Sequence, residues 1–104
     1  MEPLTFENIG KNSLIYISSS NDNNGFDLNT CEIVNNIRKS DTIFKTFEFF
    51  YKGEFIKLDI DETKSEIQYK HNDKDLLIFA DRDLAIERFN RIFKYYKFID
   101  ISLK

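Results

Sequence analysis

The chain has 104 residues, 41% apolar and 32% charged, with a net charge of −3. That length suits one domain, residues 1–104, burying roughly two-thirds of the surface its unfolded chain exposes. The composition sets aside a disordered chain, and the acidic balance argues against nucleic acid as the first partner, because phosphate binders carry a basic surplus.

The lone Cys31 has no internal disulfide partner and belongs to no Cys/His cluster of the zinc-binding kind. The opening MEPLTFENIGKNS has neither the basic start nor the apolar run of a signal peptide. No apolar run approaches the ~20 residues that cross a bilayer. A cytoplasmic protein is expected. Heavy use of Ile, Asn and Lys, with little Ala, Gly or Pro, is the usage of AT-rich coding sequences, common in phages and mobile bacterial elements.

Residues 1–11 read as an irregular lead-in. SLIYIS, residues 13–18, is a short strand, and the polar SSNDNNG that follows is a loop. Asn29 to Lys39 reads as a helix: Asn29 and Glu32 form a capping box, and Ile33, Val34 and Ile37 make an apolar stripe at helical spacing. The next stretch, TIFKTFEFFYKGEFIKL, holds five of the eleven phenylalanines. It reads as two strands, 42–51 and 54–61, joined by a Lys52-Gly53 turn. Phe47, Phe49 and Tyr51 share one face, and Phe44 and Phe50 the other.

Residues 62–64 turn the chain, 66–71 form another strand, 72–74 turn again, and 76–80 are apolar enough for a central strand. A second helix runs from Asp81 to about Tyr96, with Ala85, Phe89, Ile92, Phe93 and Tyr96 on one arc. Phe98 to Leu103 alternates as a last strand. The order β-α-β-β-β-β-α-β predicts an α+β domain, with two helices on one face of a mostly antiparallel sheet of five to six strands. A ferredoxin-like topology with an inserted hairpin is one candidate.

Few residues form a pattern that carries chemistry. Three Asp-x-Asp pairs (Asp59/Asp61, Asp73/Asp75, Asp81/Asp83) offer oxygen ligands for a hard cation. However, Lys64 stands where a calcium loop needs Gly, and Lys70 where it needs Glu. Asp61, Gln68 and Lys70 imitate a metal-dependent nuclease with a poor replacement for one acid. His71 reads as a turn residue, and Cys31 as a small, partly buried residue near a helix start. No metal or cofactor site is expected, and no enzyme activity.

What remains is a sheet with aromatics on both faces. Phe44, Phe50, Tyr51 and Phe55, next to Asp59, Asp61, Glu62 and Glu66, are the expected partner-binding set: apolar anchors in an acidic rim. Such a surface suits a basic protein. The reading is a stoichiometric inhibitor of a nuclease or other nucleic-acid-handling protein, either a toxin-immunity protein or a phage-encoded inhibitor of a CRISPR or other defence nuclease. Two alternatives stand beside it. One is direct nucleic-acid binding through Arg88, Arg91 and Lys94 on the last helix; the other is a structural homo-oligomer, such as a homodimer built on the Phe-rich strand.

Overall fold

A computed structural model describes residues 2–20 and 25–96. Its six strands are β1 (Leu14–Ser20), β2 (Phe26–Arg38), β3 (Phe44–Tyr51), β4 (Glu54–Asp61), β5 (Glu66–His71) and β6 (Lys74–Phe79). A short 3-10 turn, Phe6–Asn8, precedes them, and α1 (Arg82–Tyr96) follows. The spatial order is β4-β3-β2-β1-β6-β5, and every pairing is antiparallel. The expected sandwich with two helices is therefore corrected to a curled, near-barrel antiparallel sheet carrying one helix among the described residues. The strand expected at 98–103 lies outside those residues.

The correction centres on residues 26–38, which form β2 although the sequence pattern predicts a helix from Asn29 onward. Residues 26–32 pair with β1, Cys31 lying opposite Ile15. Residues 33–38 pair with β3, Asn36 lying opposite Phe47. Between the two halves the register shifts at Ile33/Asn35, the mark of a β-bulge. The bulge explains the misreading. Ile33 is buried while Val34 and Ile37 are exposed, so residues on opposite faces fall at a spacing that imitates one helical stripe. Thr30, Ile33, Val34 and Ile37 are β-branched and favour a strand.

The concave side of the sheet encloses the core. Ile15 and Ile17, Cys31 and Ile33, Phe47, Phe49 and Tyr51, Ile56 and Ile60, and Leu76 and Ile78 form one buried cluster, with the partly buried Leu58 of β4 and Ile67 and Tyr69 of β5 packed against it, the alternation expected of strands with one face inward. The two tight hairpins follow their turn chemistry. Lys52 and Gly53 both have positive φ (+49° and +83°), as do Asn72 and Asp73 (+50° and +65°), the pattern of two-residue turns whose twist matches that of the flanking strands.

The lead-in closes one end of the curl. Phe6 is fully buried, with its ring 5.9 Å from that of Phe47. Lys45 is buried too, and its ammonium donates to the carbonyls of Phe6, Glu7 and Ile9 at 3.2, 3.0 and 3.1 Å. Three N–H donors thus meet three carbonyl groups, which compensates for taking a cation out of water. Helix α1 lies on the outside, where Ala85 and Phe89 are buried together with Phe79 of β6. Asp81 caps its start: Oδ1 accepts from the Leu84 amide at 2.9 Å, and Oδ2 from the Leu4 amide at 2.8 Å.

Replacing the enclosed ring of Phe49 should cost far more than replacing an outward one. Phe49→Ala is expected to lose about 3–5 kcal/mol in urea denaturation, and Phe44→Ala less than about 1 kcal/mol. Equal losses would contradict the assignment of the two faces.

Candidate functional site

Two surfaces follow from the curl. The first is the groove between β4 and β5, the two terminal strands of the order. These strands are neighbours in sequence but do not pair. The turn between them is held by the lead-in instead: the Phe6 amide donates to the Lys64 carbonyl and the Glu7 amide to the Glu62 carbonyl, both at 2.9 Å. The groove, about 380 Å³, is lined by Phe44, Leu58, Asp59, Asp61, Glu66 and Tyr69, among others.

The second is the convex face of β2, β3 and β4. Core residues alternate with outward ones, so the cross-strand pairs Phe50/Phe55, Glu48/Lys57 and Thr46/Asp59 stand in successive rows. Phe50 and Phe55 are 55% and 53% exposed, and their rings meet edge to face with centroids 5.4 Å apart. Val34 and Ile37 add exposed apolar surface from β2. Helix α1 makes its contacts chiefly with β1, and to a lesser extent with β2 and β6.

The expected partner-binding residues therefore separate. Phe44, Asp59, Asp61 and Glu66 come together along the groove. Phe50 and Phe55 stand on the convex face. Tyr51 points inward, 5% exposed, with its hydroxyl 2.8 Å from that of Ser19. Glu62 is buried as well and pairs with the Arg38 guanidinium. Sequence reading missed Leu58, Ile67 and Tyr69 in the groove. Their alternation marks them as one face of a strand, but nothing local shows that β4 and β5 splay apart.

The carboxylates are engaged within the chain. Asp59 accepts from Lys39 Nζ at 2.7 Å and from the Thr46 hydroxyl at 2.5 Å. Together these hold its pKa below the ordinary aspartate value. Asp61 accepts from the hydroxyl and amide of Thr63 at 2.7 and 2.9 Å, and its pKa is lowered too. Glu66 receives Arg88 at 3.0 Å. On α1, Arg91 meets Glu87 at 2.9 Å, so two of the three cations suggested for nucleic acid are paired with carboxylates. The Lys94 side chain lies outside the described residues.

The remaining chemical candidates are dispersed. Among the described residues, no three His, Cys, Asp or Glu side chains gather as a metal site requires. Asp61 and Gln68 line the groove but Lys70 does not. Cys31 sits on a strand rather than near a helix start, and burial pushes its thiol pKa up. His71 turns inward at the end of β5. It lies 3.3 Å from Glu54 and stacks on Tyr69 with centroids 6.1 Å apart. Among the described residues, no helix is long and apolar enough to cross a membrane.

No protein-family model, curated protein or solved structure matches this chain.

The lowered values of Asp59 and Asp61 carry a pH signature. A carboxylate whose pKa is depressed by folding adds stability above its unfolded pKa, and that stability is lost as pH falls through the folded value. Carbon-detected NMR titration should place both midpoints below the ordinary 3.8. Lys39→Ala should raise the midpoint of Asp59 and leave that of Asp61 in place. An unchanged Asp59 midpoint in that variant would show that the Lys39 contact is not made in solution.

Proposed function

We propose that this chain is a protein-binding inhibitor, docking in a one-to-one complex on a basic, nucleic-acid-handling protein in the cytoplasm. The observation that supports this best is the groove between β4 and β5. Phe44, Leu58, Ile67 and Tyr69 offer apolar and aromatic contact there, and Asp59, Asp61 and Glu66 bring carboxylates to the same groove. Among the described residues the two strands that bound it have no further strand neighbour, and their outer edges suit pairing with an extended segment of a partner.

The acids do not contribute equally. Asp59 and Glu66 already hold Lys39 and Arg88. The hydrogen-bond donors to Asp61 are the neutral amide and hydroxyl of Thr63, so its charge is the one best placed to meet a cation from outside. An extended segment alternating apolar and basic side chains matches this lining. Target classes that carry such surfaces are bacterial nuclease toxins and CRISPR or other defence nucleases.

Affinity capture from the native cell would identify the target, and titration calorimetry of the purified pair would test the reading. A one-to-one complex that weakens with salt is expected, with Asp61→Lys or Tyr69→Ala costing about tenfold or more in affinity. Undiminished inhibition by both variants would remove the groove from the account. If the chain instead bound RNA or DNA directly, with the binding lost in an Arg88→Ala/Arg91→Ala variant, the basic helix would replace it.

A further inference from the structure

We infer that the convex face of β3 and β4 is the contact surface of a homodimer, with the two-fold axis running parallel to these strands and between them. The argument rests on register and is independent of the β4–β5 groove. A two-fold axis in that direction keeps each residue at its own height along the strands and exchanges left for right. Each β3 residue then faces the β4 residue of the second copy that is its own cross-strand neighbour in the first. The register therefore dictates the contacts: Phe50 against Phe55 and Glu48 against Lys57, each made twice.

Both of these rows are complementary to themselves. The first joins two exposed aromatic rings to two more. The second sets a carboxylate against an ammonium; within one copy these groups lie 4.0 Å apart, and Lys57, 62% exposed, is the one that reaches across to the less exposed Glu48. The next row, Thr46 and Asp59, is closed within one copy by its own hydrogen bond, with Thr46 buried, and lies outside the contact. Rotation about an in-plane axis perpendicular to the strands fails the same test, because an axis through the second row brings Glu48 against Glu48 and Lys57 against Lys57. Charge complementarity thus favours the parallel axis over a perpendicular one through that row. Antiparallel sheets that stack face to face lie about 10 Å apart, a spacing that outward Phe side chains fill. Val34 and Ile37, both exposed on the neighbouring β2, extend the apolar area at its margin.

Sedimentation equilibrium on the full chain tests this. The wild type should show a concentration-dependent dimer. Glu48→Lys creates two Lys–Lys contacts across the axis, and Lys57→Glu creates two Glu–Glu contacts. Each variant alone should associate at least about tenfold more weakly, because like charges meet. An equimolar mixture of the two variants should recover the dimer. Only in the mixed pair do the two lysines of the Glu48→Lys copy face the two glutamates of the Lys57→Glu copy. Each substitution also removes the Glu48–Lys57 contact within its own chain, and mixing cannot restore that contact, so recovery assigns the effect to the interface. Phe50→Ser should weaken association with an unchanged circular dichroism spectrum. A wild type that is monomeric up to the millimolar range would overturn the inference, as would a dimer insensitive to both charge reversals.

Discussion

Strand β2 is hydrogen-bonded to two different neighbours through two different halves of its length, and the bulge at Val34 lets it do so. A straight strand of 13 residues would hold β1 and β3 alongside each other in a flat sheet. Here the extra residue bends the strand between its two partnerships and increases the local twist. One half of the sheet then turns toward the other, and the concave side becomes a closed interior. Phe47 and Phe49 on one side of the bend share a core with Ile15 and Ile17 on the other.

From this bend follows what is covered and what is bare. The curl buries its concave side without a helix, so α1 is left to cover part of the convex side, chiefly at β1 and also at β2 and β6. The convex side of β2, β3 and β4 keeps Phe50, Phe55, Val34 and Ile37 in solvent. The curl also brings β4 and β5 close without joining them, since the lead-in takes the carbonyls of the turn between them. Lys45 secures that arrangement: its ammonium holds the carbonyls around Phe6, and Phe6 fills the end of the core. The two surfaces proposed for interaction are therefore consequences of one backbone feature.

Much of this was legible in the residues. The Lys52-Gly53 turn, the alternation of Ile56, Leu58 and Ile60, and the acids at the start of α1 each identify their elements by local physics. The division of Phe47, Phe49 and Tyr51 from Phe44 and Phe50 also follows from the period of a strand. The bulge was not legible. It changes the phase of a strand by one residue, and a strand with a phase change presents apolar residues at helical spacing. Read as a helix, that element puts Cys31 near a helix start, whereas it lies on a strand. Burial of Tyr51 and Glu62 depends on where Ser19 and Arg38 stand, which are long-range facts. The engagement of Asp59 with Lys39, and of Glu66 with Arg88, is likewise invisible to a reading of charge along the chain.

The claim on which the account depends is that residues 26–38 form one bent strand between β1 and β3. Proton NMR distance contacts test it most directly. The account predicts cross-strand contacts from Cys31 to Ile15 and from Asn36 to Phe47 in the same molecule, with the irregularity confined to Val34. Unbroken sequential amide–amide contacts from Asn29 to Lys39, with neither cross-strand set, would contradict it.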